Sequence, residues 1–343
     1  MEQTYNQDSI KVLGDIEHIR LRKGMYIGEA EDPRSLISEI FDNAIDEVQG
    51  GFSDKLVINV DTKNNVYSVR DYGRGIPHGT KVLENGEEKE ILEVLITKAN
   101  SGGKFDNSSY IYASGLHGVG VTVTNALSDW IDVTSYRDGR YVSVHSEHGN
   151  NTTVKKGNST EHDGTEFVFK PDKTMFRNEK IPISFITSRC RVASALGFKS
   201  ELFVDGNQVD TASTIYDLMK DEDSSISQYV ATPIFPVTNK EKEAMKVAIK
   251  YTSDTSDKYF GYSNMLVNSL GGTHVQVLGK TIQDAWIDFV ASHKNIKPNV
   301  ELRKGDYLIG LRAVCAVFIA HPEFSSQTKE KLVVGKNYFD ELM

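Results

Sequence analysis

Three polar, glycine-punctuated segments in the first third of the chain limit what it can fold into. The first is Glu39-x-x-x-Asn43-x-x-Asp46-Glu47. The second is Asp71-Tyr72-Gly73-Arg74-Gly75-Ile76-Pro77, and the third is Gly115-Leu116-His117-Gly118-Val119-Gly120. The third lacks the spacing of a P-loop, and no strand–Gly–helix unit opens the chain as in a dinucleotide-binding fold. Glycines ahead of a helix still present backbone N–H groups to phosphate oxygens. With a carboxylate, an amide and a strand-end acid in the same stretch, the segments point to a nucleotide pocket of another kind.

The surrounding pattern places these segments on elements. Asp32-Pro33 reads as a helix start, with Asp32 as N-cap and Pro33 in the first helical position. Leu36, Ile37, Ile40, Phe41, Ala44, Ile45 and Val48 then recur at helical spacing, and Gly50-Gly51 stops the run. Strands are expected over 55–60 and 66–70, joined by the turn Asp61-Thr62-Lys63-Asn64-Asn65. A helix is expected over 90–99, a lid-like loop over 101–114, and a helix from Val119 to Leu127. Further strands are expected at 130–136, 140–147 and 165–169.

A boundary is expected near 171–182, where Pro171 and Pro182 flank a charged stretch. Beyond it come a helix over 183–197 and a small hairpin of 200–204 with 207–209. Asp221-Glu222-Asp223-Ser224-Ser225 reads as a solvated loop rather than a metal site. Strands at 245–251, 262–268 and 309–319 and a helix over 279–292 complete the pattern.

Composition narrows the setting. The 343 residues carry a net charge of −9, which argues against nucleic acid lying flat over most of the surface. No apolar run approaches a membrane span, and the charged N-terminus is unlike a secretory signal. Cys190 and Cys315 form no CxxC pair and read as buried thiols of a reducing compartment.

Glu39 and Asn43 lie one turn apart, off the apolar stripe, where a carboxylate and a carboxamide suit a water and a hard divalent ion. Taken alone, that face is also compatible with plain solvation. Asp71 at a strand end can accept a hydrogen bond from an adenine amino group, and Arg74 is matched to Glu47 as structural support. His117 reads mainly as a backbone contributor to its loop, and Lys104 as either a lid cation or a surface lysine. In Lys329-Glu330-Lys331, charge spacing leaves open whether Lys329 meets phosphate or solvent. Phosphoryl transfer to water needs a placed water, neutralised phosphates and excluded solvent more than covalent help.

In this order the segments resemble the ATPase region of the type IIA DNA topoisomerases, as found in gyrase B and its topoisomerase IV counterpart ParE. The likeness adds Ser9-Ile10-Lys11-Val12-Leu13, Gly24-Met25-Tyr26-Ile27-Gly28 and Gly102-Gly103-Lys104-Phe105. Val123-x-Asn125-Ala126-Leu127-Ser128, Gly164-Thr165, Gly271-Gly272-Thr273-His274 and Ser326-Gln327-Thr328-Lys329 also match. The nucleotide motifs are shared with GHKL chaperones and mismatch-repair ATPases. The Gly-Met-Tyr-Ile-Gly and Gln-Thr-Lys segments favour the topoisomerase.

The resemblance implies an α/β fold. A GHKL (Bergerat) ATP-binding sandwich over 1–178, with an N-terminal dimerisation arm, would be followed by a ribosomal-protein-S5-like α+β transducer domain over 179–343. It implies ATP and Mg²⁺ as ligands. By this likeness Glu39 is the general base, Asn43 the Mg²⁺ ligand, and Asp71 the adenine ligand with Thr165 beside it. Gly75, Ile76 and Pro77 line the pocket. Gly102, Gly103 and Lys104 belong to the ATP lid. Gly115, Leu116, His117, Gly118, Val119 and Gly120 wrap the phosphates. Glu47 and Arg74 support the rim, and Gln327 and Lys329 reach the γ-phosphate. Tyr5 crosses to the other protomer's nucleotide. Arg137 falls where the family contacts aminocoumarins.

The same likeness implies an ATP-dependent homodimer that gates double-stranded DNA in a full enzyme with an A-type cleavage subunit, in the cytoplasm and off the membrane. Two departures stand out: Arg22-Lys23-Gly24-Met25 replaces the usual Arg-Pro-Gly-Met, and Tyr72 replaces the second acid of Asp-Asp-Gly-Arg-Gly. They fit a divergent source, a phage or an unusual bacterium. The sequence also lacks the family's Glu-Gly-Asp-Ser cleavage cluster. A fragment ending at Met343, without DNA cleavage of its own, is therefore expected.

Overall fold

The computed structural model describes residues 13–28, 31–101, 118–219, 237–238, 244–293, 302–326 and 329–339. These divide into two compact units. The first takes the described residues up to 101, then 118–185 and 201–209. The second takes 186–200 and the described residues from 210 onward.

The first unit opens with helices α1 (Asp15–Leu21), α2 (Lys23–Ile27) and α3 (Arg34–Gln49). Strands β1 (Lys55–Asp61), β2 (Val66–Asp71), β3 (Thr80–Val82) and β4 (Glu88–Glu90) follow. Then come α4 (Ile91–Thr97), α5 (Gly120–Ala126), β5 (Ser128–Arg137), β6 (Arg140–Glu147), β7 (Asn151–Asn158) and β8 (Gly164–Pro171). Helix α6 (Ile183–Ala195) carries the chain into the second unit. The hairpin β9 (Lys199–Val204) and β10 (Asn207–Val209) completes the first unit's eight-stranded sheet, ordered β10-β9-β1-β2-β8-β5-β6-β7.

Helix α3 forms because its apolar residues fall on one stripe. Leu36, Ile37, Ile40, Phe41, Ala44, Ile45 and Val48 are all buried, and the helix packs on β2 and α5. Burying each large aliphatic chain contributes about 1.5–3 kcal/mol. Across the packed strands burial alternates: Leu56, Ile58 and Val60 of β1 are buried while Lys55, Val57 and Asn59 are not. That is the pattern of a sheet with one covered face.

The helix start differs from the sequence reading by one residue. Pro33 is the N-cap and α3 begins at Arg34. Asp32 still serves the first turn, because its Oδ1 accepts the Arg34 N–H at 3.1 Å while its carboxylate pairs with the Arg34 guanidinium. Between β1 and β2, Asp61 Oδ1 accepts the N–H groups of Lys63 (3.0 Å) and Asn64 (2.9 Å), and Asn65 adopts φ 58°.

The second unit contains β11 (Val237–Thr238), β12 (Ala244–Tyr251), β13 (Lys258–Ser263), β14 (Leu266–Asn268), α7 (Thr273–Ser292) and β15 (Leu311–Phe318). Its sheet is ordered β11-β12-β15-β13-β14, with β15 antiparallel to β12 and parallel to β13. Every residue of β15 is buried. Leu278 and Ile282 of α7 join Met245, Leu311, Ala313, Cys315 and Val317 in the core.

Two expectations for this unit need correction. The single strand expected over 262–268 is a hairpin. Asn264 and Met265 turn it at φ 45° and 69°, and Asn264 exchanges side-chain hydrogen bonds with the Ile319 backbone at 2.9 Å. Helix α7 starts at Thr273 rather than 279. Gly279 is no breaker: a Cβ there would lie 2.8 Å from the Tyr259 hydroxyl, so the glycine makes room for that ring. Cys190 and Cys315 are both free and buried, and burial pushes the Cys190 thiol up to about 11.

Candidate functional site

The end of β2, the middle of α3 and the start of α5 converge in the first unit. Asp71 closes β2 and is 4% exposed. Its Oδ1 accepts the N–H groups of Gly73 at 2.9 Å and Thr165 at 3.3 Å. Burial is the main cause that raises its carboxyl pKa, to about 7. The neighbouring Glu47 charge raises it too, while the N–H donors from Gly73 and Thr165 pull it back. Near neutral pH this acid is therefore poised between its two forms, and a ligand that donates a hydrogen bond draws it to the carboxylate.

Glycines let three backbone segments close around it. A Cβ at Gly164 would run into the Asp71 carbonyl and come 3.0 Å from Tyr72 Cα. A Cβ at Gly73 would strike the Glu47 carboxylate. Gly75 adopts φ 66° with its Cα against the Tyr136 carbonyl, a conformation and an approach that only glycine tolerates easily.

Glu47 and Arg74 are bonded through three contacts. Arg74 Nη2 donates to Oε1 at 2.8 Å, while its Nε (3.3 Å) and backbone N–H (3.0 Å) donate to Oε2. The guanidinium also lies 3.5 Å over the Phe52 ring. Strand β5 holds the following loop from the other side. Ser135 Oγ donates to the Ile76 carbonyl at 2.7 Å, and Arg137 Nη1 donates to the Gly75 carbonyl at 3.1 Å. Pro77 is exposed at the loop's exit.

Glu39 and Asn43 share the half-buried face of α3. The Glu39 carboxylate lies against Gly120, the first residue of α5. A Cβ at Gly120 would overlap its Oε2 and sit 2.8 Å from its Cδ. Val119, the N-cap residue of α5, makes no side-chain cap bond, and the Glu39 carboxylate stands at the first residue of that helix. Asp42, Asp46 and Glu47 are buried, so α3 does not present a merely solvated polar face.

Tyr72, at the position of the departure, turns to cations. Its ring meets Arg70 at 5.0 Å and Lys55 at 5.1 Å, and its N–H donates to Ser53 Oγ at 3.1 Å. In the second unit Lys329 is 7% exposed and has φ 57°; its N–H donates to the Ser326 carbonyl at 3.1 Å. Tyr5, Gly102, Gly103, Lys104, Gly115, Leu116, His117 and Gln327 lie outside the described residues.

Residues 28–175 match the family of histidine kinase-, DNA gyrase B- and HSP90-like ATPases, and residues 209–337 match the DNA gyrase B family. The DNA gyrase B protein of Thermotoga maritima is 31% identical over 96% of this chain and 54% of its own length. The corresponding B-type protein of DNA topoisomerase 4 from Bacillus subtilis is 33% identical over 96% of this chain and 51% of its own. The chain belongs to the ATPase region of the gyrase B and topoisomerase IV ParE family. It spans about half the length of these curated relatives.

Solved structures share the fold of this chain. The 43K ATPase domain of Thermus thermophilus gyrase B, solved with an aminocoumarin, superposes with a TM-score of 0.71 at 25% identity, covering 95% of this chain and 86% of that one. The ATPase region of Saccharomyces cerevisiae topoisomerase II, at 17% identity, shares the fold with a TM-score of 0.75 over 98% and 96% of the two chains.

For this ATPase region, sequence reasoning missed the residues that brace the site. Phe52 sits under Arg74, and its only signal was an aromatic just past the Gly50-Gly51 helix stop. Ser135 and Arg137 lie two residues apart on β5, yet only Arg137 carries a signal in the sequence. Ser53, which receives the Tyr72 N–H and donates to the Lys55 carbonyl at 2.6 Å, carried no signal at all.

Proposed function

We propose that the first unit binds and hydrolyses ATP, and that segments 1–178 and 179–343 serve as the ATP-binding and transducer domains of a type II topoisomerase of the gyrase B kind. The observation that carries this reading is the Glu39 carboxylate against Gly120. It sets an acid at the first residue of α5, and the sequence 115–120 that leads into this helix has the composition of a phosphate cradle.

The residues fit both ligands. For ATP there is a buried acceptor at Asp71, and Gly73, Gly75 and Gly164 let the backbone pack closely around it. Among the described residues no group of three or more His, Cys, Asp or Glu side chains could hold a metal unaided. Asn43 offers a single amide oxygen, which suits Mg²⁺ completed by phosphate oxygens and water. Bound there, Mg²⁺ would neutralise phosphate charge.

In this reading Asp71 accepts a hydrogen bond from the adenine amino group, with Thr165 beside it, and the bracing by Ser135, Arg137 and the Glu47–Arg74 pair keeps the pocket wall in place. Glu39 orients the attacking water and takes its proton. Gln327 and Lys329 engage the γ-phosphate, the lid with Lys104 excludes solvent, and Tyr5 reaches the partner's nucleotide. ATP-driven homodimerisation then closes a gate around double-stranded DNA, hydrolysis resets it, and an A-type subunit performs cleavage in the cytoplasm.

Steady-state turnover of Glu39→Ala tests the reading. We expect retained ATP binding with turnover lower by about 10²–10⁴-fold, the usual contribution of a general base. Light scattering with a non-hydrolysable analogue is expected to show a doubled mass. Wild-type turnover in the variant would refute Glu39 as the base, near-background turnover in both proteins with binding intact would refute the enzyme, and an unchanged mass would refute the gate.

A further inference from the structure

Lys329 sits in a backbone conformation that is uncommon for a lysine. Its φ is 57°, in the left-handed region that disfavours side chains with a Cβ. It is bonded to the segment 268–274, which includes the Gly271-Gly272-Thr273-His274 motif that the nucleotide chemistry leaves unused. Asn268 Nδ2 donates to the Lys329 carbonyl at 3.0 Å in a buried setting. The Leu270 N–H donates to the Glu330 carbonyl at 3.0 Å and the Thr273 N–H to the Leu332 carbonyl at 3.0 Å. Leu332 N–H returns a bond to the Gly271 carbonyl at 3.2 Å.

The glycines make this lacing possible. Gly272 has φ 147° and its Cα abuts the Leu332 backbone, so a Cβ there would come 2.8 Å from the Leu332 nitrogen. Asn268 lies in a strand pair packed beside His274. It pairs across the hairpin with Gly261, and the buried His274 ring fills the volume a side chain at 261 would take, with Nε2 2.6 Å from that Cβ position. Asn268 is 3% exposed. The bonds from Leu270, Thr273 and Leu332 run between backbones, whereas the Asn268 amide brings a side chain onto the lysine's own peptide.

We propose that Asn268, backed by His274, is a positioning residue that fixes the peptide of Lys329 and so directs that lysine toward the γ-phosphate. The inference rests on the role proposed for Lys329 above. It predicts that Asn268 affects the chemical step through Lys329 and leaves nucleotide binding by the first unit alone. Asn268→Asp keeps the volume and, once ionised, removes the donor, so turnover is read at a pH where the loss has levelled off.

The test is a double-mutant cycle on ATP turnover by the whole chain, comparing Asn268→Asp, Lys329→Ala and the pair. We expect Asn268→Asp to lower kcat on the order of tenfold, since misplacement of a catalytic group is costly. The Kd of a non-hydrolysable ATP analogue should stay unchanged. In the Lys329→Ala background the same change should cost less than about twofold, while its effect on Tm is the same in both backgrounds. A purely structural residue would move Tm and lower turnover equally in both.

An equal loss in the two backgrounds, or an unaltered kcat in Asn268→Asp, overturns the positioning role. If Lys329→Ala loses turnover while Asn268→Asp does not, only the positioning falls. If Lys329→Ala keeps full turnover, the lysine's own role falls with it. Should Asn268→Asp not fold, Asn268→Ser enters the same cycle with the same outcomes.

Discussion

Glu39 and Gly120 compete for one volume. The carboxylate of the α3 acid occupies the space that any side chain on the first residue of α5 would need. The relationship ties a motif glycine to the placement of the proposed base rather than to loop flexibility.

Gly120→Ala should therefore act as a mutation of Glu39 without touching it. A methyl group at 120 pushes the carboxylate off the helix start, and we expect turnover to fall by about 10²-fold, the scale set by roughly 1 Å of misplacement. Thermal unfolding should change little, because alanine is favoured in helices. Kinetics beside a melting curve would check this; intact turnover in a folded Gly120→Ala protein would break the link.

Asp71 gives the site a pH signature. Its folded pKa of about 7 lies above the ordinary value of 3.8, so ionisation opposes the ligand-free fold. The stability it contributes is complete below pH 3.8 and is lost as pH rises through about 7. Asp71→Asn removes this slope, and its Tm relative to wild type should rise between about pH 5 and pH 8. Affinity moves the other way. An adenine donor bonds the carboxylate more strongly than the neutral acid, so wild-type ATP binding should tighten as pH rises through about 7, and Asp71→Asn should bind weakly with no such step. Calorimetry across that range decides it, and an unchanged affinity in the variant would reject the adenine contact.

Most of the first unit's scaffold was legible because local pattern and tertiary environment agree there. The stripe from Leu36 to Val48 is apolar at helical spacing and is buried as such, and Asp61 announces its turn by its own hydrogen bonds. Strand β7 was not legible. Asn-Thr-Thr-Val-Lys-Lys-Gly-Asn has one large apolar residue and becomes a strand only because β6 offers an edge to pair with. The hairpin β9–β10 was readable locally, but its addition to the sheet beside β1 depends on long-range pairing that no short pattern encodes. In the site, residue types exposed Asp71 and the Glu47–Arg74 match. The volume shared by Glu39 and Gly120 is a contact between residues 81 positions apart and emerges only from packing.

Arg137 reports on the pocket rim. Its guanidinium holds the Gly75 carbonyl and is about a third exposed, so it can meet a ligand lying across the loop. We expect an aminocoumarin to inhibit turnover and Arg137→Ala to weaken that inhibition by about tenfold or more, the value of one charged hydrogen bond. ATP turnover itself should change less than inhibition does. Inhibition curves for the two proteins test this, and identical curves would remove Arg137 from the inhibitor's path.

The most direct test of the account is a crystal structure of this chain with a non-hydrolysable ATP analogue and Mg²⁺. The account predicts the Glu39 carboxylate facing the terminal phosphate through one water, with the Asn43 amide oxygen on the metal. A closed, nucleotide-bound state with either side chain turned away from that centre would contradict it.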